Sequence, residues 1–339
     1  MKKATGFLKR ILIGSSVFVF VLAMAGMIYQ TASAEADRKK FPAPGNLIDV
    51  GGFKMHIYCM GEGSPAVILE TLSGGTSSYW GWVQPEVAKT TRVCVYDRAG
   101  RGWSEPDPEP ITLRRTVRNL HTLLTNASIE GPYVLVGHSI GGIYVRQFAA
   151  EYPDEVLGLV LVDAAHPQQF DRIPDILKET NSYLQISTAF PTLARLGVFR
   201  GYFALGGEMD FAGMKEPQKS EMKAIWSSSE YFVSQRAEII ARPDIFAEAQ
   251  QLGTLGNLPL LVITAGPSAS DLWGELQSEL ASLSEDSIHL NVETATHASL
   301  AFHPNDARQV SMGILKVLDA IRTESGLDAV FSPAVTGVQ

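Results

Sequence analysis

The chain has 339 residues, 45% hydrophobic and 19% charged, with a formal net charge of −8. That composition suits a globular protein with a sizeable apolar core. The acidic balance, with no basic block beyond the amino terminus, argues against nucleic acid as a partner, and the absence of internal repeats, zinc-type cysteine pairs and phosphate-loop patterns leaves no cofactor or metal expected.

At the amino end, Lys2, Lys3, Lys9 and Arg10 precede an uncharged run over residues 11–29. At about 1.5 Å per residue, such a run is roughly 28 Å long as a helix, close to the thickness of a bilayer core. The length favours a single-pass membrane anchor. The flanking cations place the amino terminus in the cytoplasm and the rest of the chain outside the cell membrane. Ala32-Ser33-Ala34 is also an acceptable cleavage triplet, so secretion after cleavage near Ala34 is the alternative. Either way, residues 1–40 are read as a segment outside the fold. Cys59 and Cys94 are the two cysteines, each in a strand-like stretch. Outside the cytoplasm they are candidates for a disulfide; the alternative is a pair of buried thiols.

Residues 41–45 (Phe-Pro-Ala-Pro-Gly) form a linker that cannot be helical. Strands are expected at 47–50, 54–59 and 66–70, a helix at 80–90, a strand at 92–97 and an amphipathic helix at 112–126. Further strands are expected at 133–137 and 157–163, then at 258–265 and 288–292, with a closing helix at 306–322. Alternating strands and helices imply a doubly wound, mostly parallel sheet, an α/β fold. The pattern breaks over residues 166–257, where helices are expected at 173–186, 215–226 and 234–251. A stretch that long is no ordinary loop. It reads as a helical cap inserted into a core made of residues 41–165 and 258–325, with 326–339 as a flexible tail.

Gly137-His138-Ser139-Ile140-Gly141 carries the chemistry. It follows an apolar strand and precedes a helix, the context in which G-x-S-x-G forms a tight turn that exposes the serine oxygen. Glycines two residues before and after the serine avoid collisions with neighbouring backbone. The amino end of the helix favours negative charge. Ser139 is the expected nucleophile, and the N–H of Ile140 one oxyanion donor. His138 is expected to point away from Ser139 and to serve structure.

Four blocks in order now support a resemblance to the α/β-hydrolase superfamily over about residues 45–323. They are Gly74-Gly75 with Trp80, the run from Tyr96 to Ser104 (Asp-Arg-x-Gly-x-Gly-x-Ser in type), Gly137 to Gly142, and Thr296-His297 with His303-Pro304. The block Ser64 to Glu70 resembles that of membrane-anchored, capped serine hydrolases such as esterases and lipases. The resemblance implies an α/β-hydrolase fold. It implies His297 as the general base, with His303 as its rival, and a carboxylate to orient the base. Most of the superfamily carries that acid after the strand matching 260–265, where this chain offers Asp271. Some relatives carry it at the end of the preceding strand, where Asp163 stands. Asp163 is favoured, with Asp271 as the alternative.

Alignment on Gly74-Gly75 implies Ser73 as the second oxyanion donor, although Leu72 replaces a glycine usual in the family. In the family, the Asp97-Arg98 turn is structural. The activity implied is hydrolysis of a carboxylic ester of an apolar or medium-sized molecule through an acyl-enzyme. Relatives that open epoxides or cleave carbon–halogen bonds use Asp at the elbow, against Ser139 here. A serine aminopeptidase, or a membrane-tethered binding protein that has lost catalysis, are the other readings.

Overall fold

The computed structural model describes residues 2–207, 213–266 and 272–332. Its strands are β1 (Asn46–Asp49), β2 (Lys54–Met60), β3 (Ala66–Glu70), β4 (Val93–Tyr96), β5 (Tyr133–His138), β6 (Val156–Val162), β7 (Leu260–Ala265) and β8 (Ser287–Val292). They form one sheet in the order β1-β2-β4-β3-β5-β6-β7-β8. β2 runs antiparallel to β1 and β4, and every later pairing is parallel. β3 and β5 are buried along their whole length, and their apolar runs fit strands covered on both faces.

Successive side chains alternate between two cores. Val67, Leu69, Val134 and Val136 pack on one face, and Ile68 and Leu135 on the other. The first face is covered by α2 (Val83–Val87), α12 (Ser299–Phe302) and α13 (Pro304–Arg322). The second is covered by α3 (Leu113–Asn126) and α4 (Gly141–Glu151), with α11 (Leu272–Ala281) at the far end. The side chain of Thr112 caps α3 by accepting from the N–H of Arg115 at 3.2 Å. The helix expected over 80–90 splits into a 3-10 turn at Ser77–Trp80 and the short α2. Pro85 explains the break, since its ring would clash with the carbonyl of residue 81 in a continuous helix.

Between β6 and β7 the chain forms α5 (Gln169–Arg172), α6 (Pro174–Ile186), α7 (Phe190–Arg195), α8 (Val198–Ala204), α9 (Gln218–Trp226) and α10 (Ser229–Ala249). The longest, α10, starts five residues before its expected start, because Ser228 caps it through the N–H of Tyr231 at 3.1 Å. Phe190, Phe199, Tyr231 and Phe232 knit α7, α8 and α10 together.

Two expectations are corrected. Residues 2–40, expected to lie outside the fold, are not separate from it. They form one helix, α1 (Lys2–Lys40), whose second half rests on the inserted helices. Gly26 lies so close to Leu196 that a Cβ there would sit 2.3 Å from its carbonyl oxygen. Gln30 Nε2 donates to the Ser227 carbonyl at 2.9 Å, and Arg200 donates to Gln30 Oε1 at 2.9 Å and to Asp37 at 2.6 Å. Polar groups that follow the apolar run find partners on α8 and just after α9, which hydropathy alone does not reveal. The tail also begins with structure: α14 (Leu327–Phe331) buries Leu327, whose N–H donates to Asp286 at 2.8 Å.

Cys59 and Cys94 face each other in the β2–β4 register, with Cα atoms 4.0 Å apart, and are joined by a disulfide.

Candidate active site

Ser139 follows the last residue of β5 with φ 57°, a left-handed conformation unusual for a side-chain-bearing residue. The turn is held by Ser139 N–H donating to the Val162 carbonyl at 3.1 Å, and by the Ser139 carbonyl accepting from Gly142 at 2.9 Å and Ala165 at 2.9 Å. The glycines are there for space. A Cβ on Gly137 would meet the Gly141 carbonyl oxygen at 2.5 Å, one on Gly141 would meet Glu70 Cγ at 2.8 Å, and one on Gly142 would meet Ala164 Cβ at 2.4 Å.

Asp163 directly follows the last residue of the adjacent β6, also with positive φ, 41°. Its Oδ2 accepts from His297 Nδ1 at 2.6 Å. Its Oδ1 accepts from Trp273 Nε1 at 2.9 Å and Ala265 N–H at 3.2 Å. Burial pushes this carboxyl up, but the hydrogen bond and charge of His297, with Trp273 and Ala265, outweigh it and hold it below the ordinary carboxylate range. With Nδ1–H directed to the carboxylate, His297 keeps its Nε2 lone pair for a proton. The other candidate acid, Asp271, lies outside the described residues.

No hydrogen bond joins Ser139 Oγ to His297 among the described residues; such bonds often tighten only once substrate is bound. His297 is half-exposed on the loop between β8 and α12. His303 makes no hydrogen bond to Ser139 or Asp163 among the described residues. Its Nδ1 lies 3.8 Å from Asp306, and its ring lies against Gly213.

His138 makes no hydrogen bond to Ser139 among the described residues and instead holds the loop that carries His297. Its Nε2–H donates to the His297 carbonyl at 2.8 Å, and its ring packs edge-on against Trp80. Burial, and next the neighbouring His297, push its pKa down to about 3. The folded state therefore keeps the ring neutral where the unfolded chain, titrating near 6.5, takes up a proton. Stability is lost as pH falls through that window, at up to about 1.4 kcal/mol per pH unit. Between pH 7 and pH 5, wild type should lose about 2 kcal/mol more than His138→Gln in urea unfolding. Equal losses would mean that the ring is not held neutral.

The loop after β3 lies beside the elbow, since a Cβ on Gly141 would also meet the Thr71 carbonyl oxygen at 2.9 Å. The N–H groups of Leu72, Ser73, Gly74 and Ile140 donate to no protein acceptor among the described residues, which leaves both expected oxyanion donors, Ser73 and Ile140, free. Leu72, where a glycine was expected, packs against Tyr79, Met214, Met222 and Phe302. Asp97 is structural, accepting from Ser77 N–H at 2.7 Å, Trp103 N–H at 3.1 Å and His56 Nδ1 at 2.9 Å. Sequence reasoning missed Trp273 and Glu238. Trp273 sits in a helical pattern with no motif, and Glu238 reads as one more exposed helix glutamate. Among the described residues no cluster of side chains suited to a metal ion occurs.

A family model of the alpha/beta hydrolase fold matches residues 65–196. An uncharacterized protein of Schizosaccharomyces pombe is 30% identical over 260 residues, which cover 75% of this chain and 46% of that protein. The chain spans about half the length of the first curated relatives it matches. An epoxide hydrolase structure superposes with a TM-score of 0.64 at 20% identity, covering 82% of this chain and 99% of that one. A thermophilic esterase of Thermogutta terrifontis superposes with a TM-score of 0.58 at 21% identity, covering 81% and 97%. Family match, sheet order and the glycine-walled serine turn agree: the chain belongs to the α/β-hydrolase superfamily.

Proposed function

We propose that the protein is a serine hydrolase that cleaves a carboxylic ester of an apolar or medium-sized molecule. The observation that carries this reading is the 2.6 Å contact of His297 with Asp163, on a strand end beside the positive-φ Ser139. His297 Nε2 takes the Ser139 proton as the oxygen attacks the ester carbonyl carbon. The tetrahedral oxyanion is held by the N–H groups of Ile140 and Ser73. The alcohol leaves with the proton from His297. Water, deprotonated by the same ring, then releases the acid and restores the serine. Asp163 keeps the ring oriented and stabilises its cation.

The apolar preference rests on Tyr79, Met214, Met222 and Phe302, packed between Leu72 of the oxyanion loop and Ala298 beside the base. Fluorophosphonate labelling tests the reading. Wild type should be labelled and Ser139→Ala should not, with esterase activity falling by at least about 10⁴-fold. A folded wild-type chain that is neither labelled nor active on p-nitrophenyl esters would refute it. Turnover of amino-acid anilides but not esters would select the aminopeptidase reading.

The proposed setting is a membrane. Among the described residues one helix, over Lys9–Lys40, is long and apolar enough to cross a bilayer. We read it as a retained single-pass anchor with the catalytic domain outside the cytoplasm. The disulfide supports this placement. So do the contacts of Gly26 and Gln30, which cleavage at Ala34 would discard. The mass of the mature protein tests it, since a start after Ala34 would exclude the anchor.

A further inference from the structure

The buried polar cluster between the oxyanion loop and α10 stands out, because it joins the inserted helices to the reaction centre. Glu70, Arg98, Arg101 and Glu238 are each no more than 4% exposed. Arg98 is the hub. It donates to the carbonyls of Thr71 at 2.8 Å and Leu72 at 3.0 Å, to Glu238 Oε2 at 2.8 Å, and to Glu70 Oε1. Glu238 comes from the middle of α10. Its Oε1 accepts from Ser73 Oγ, and Arg101 Nη2 lies 3.2 Å from its Oε2. Gln235, three residues earlier on α10, donates to the same Ser73 oxygen at 3.3 Å. The Thr71 N–H is held by Glu70 Oε1 at 2.8 Å. The same helix also closes over Gly74, where a Cβ would meet the Tyr231 hydroxyl at 2.8 Å.

Loop carbonyls and the loop hydroxyl are thus bound, while the N–H groups that would face an oxyanion are left unbound. We propose that Glu238, acting with Arg98, is a positioning residue for the oxyanion hole: α10 supplies a carboxylate that fixes the peptide bearing the Ser73 N–H. This deepens the serine hydrolase reading and rests on it. The loop has Leu72 in place of the family's glycine, so its conformation is imposed from outside rather than by its own sequence. Seating of the inserted helices then governs transition-state stabilisation as well as substrate access.

The test uses the full-length protein in detergent, with active sites titrated by fluorophosphonate. Glu238→Ala should lower kcat per titrated site by about 10- to 100-fold, less than outright loss of one oxyanion donor. KM should change by less than about 3-fold. Affinity for a phenylboronic acid, which mimics the tetrahedral state, should weaken in parallel with kcat. Glu238→Gln, which keeps a partner for the Ser73 hydroxyl, should recover part of the loss. If Glu238→Ala does not fold, Glu238→Gln and Ser73→Ala carry the test, each with an expected drop in kcat of about 3- to 10-fold. Folded variants with wild-type kcat per site, or with raised KM alone, would overturn the proposal. A wild-type chain that takes up no label overturns both readings, and that result is told apart because it needs no variant.

Discussion

Asp163→Asn should lower kcat by about 10⁴-fold while leaving the protein folded. The change is nearly isosteric, and an asparagine oxygen can still accept from Trp273 and Ala265. What fails is the contact with His297. If the amide nitrogen turns toward Nδ1, it offers a donor where the ring needs an acceptor, and the imidazole settles in the tautomer that presents N–H to Ser139. No cation can then be stabilised behind the base. Steady-state kinetics on a p-nitrophenyl ester, with a thermal melt as control, reads this directly. Asp271→Asn should stay within about 3-fold of wild type. The reverse ranking would transfer the acid role to Asp271 and reduce the 2.6 Å contact to a structural bond.

The second large effect concerns stability. Arg98→Met should destabilise the fold by about 3–5 kcal/mol, because it takes the guanidinium from buried Glu70 and leaves buried Glu238 to Arg101. Glu70 shows how finely the balance stands: even with Arg98 present, burial pushes its pKa up to about 7. The folded state therefore binds this proton more tightly than the unfolded chain, and the stability it contributes is present in acid and lost as pH rises toward 7. Without Arg98 that window moves further upward. The deficit of Arg98→Met should accordingly be smaller at pH 5 than at pH 8 in urea unfolding. A deficit independent of pH would mean that the lost packing over the Tyr144 ring, not the stranded charge, dominates.

These two sites differ in how far they could be read from sequence. The elbow is local. Gly137, Ser139 and Gly141 meet within one turn, so steric rules of nearest neighbours suffice to expect it. The parallel sheet is nearly as legible, because strands buried on both faces, such as residues 66–70 and 133–138, are uninterrupted apolar runs. The proposed acid is harder: Asp163 and His297 are 134 residues apart, and spacing alone left Asp271 in contention. Glu238 was invisible, since a glutamate on a helix reads as solvated until tertiary packing brings Arg98 and Arg101 against it. Helices α7 and α8 were missed because they are short and separated by Gly197 in a left-handed conformation. The seating of α1 escaped for a related reason. Hydropathy describes what the apolar run avoids, not which neighbour Gly26 and Gln30 touch.

That seating has a practical side. A water-soluble fragment beginning near residue 41 is the obvious reagent for this enzyme class, yet it would not be a neutral trim. It would uncover the Leu196 carbonyl, leave the Ser227 carbonyl without its amide donor and take Gln30 and Asp37 away from Arg200. Rates measured on such a fragment would describe inserted helices that have lost a strut.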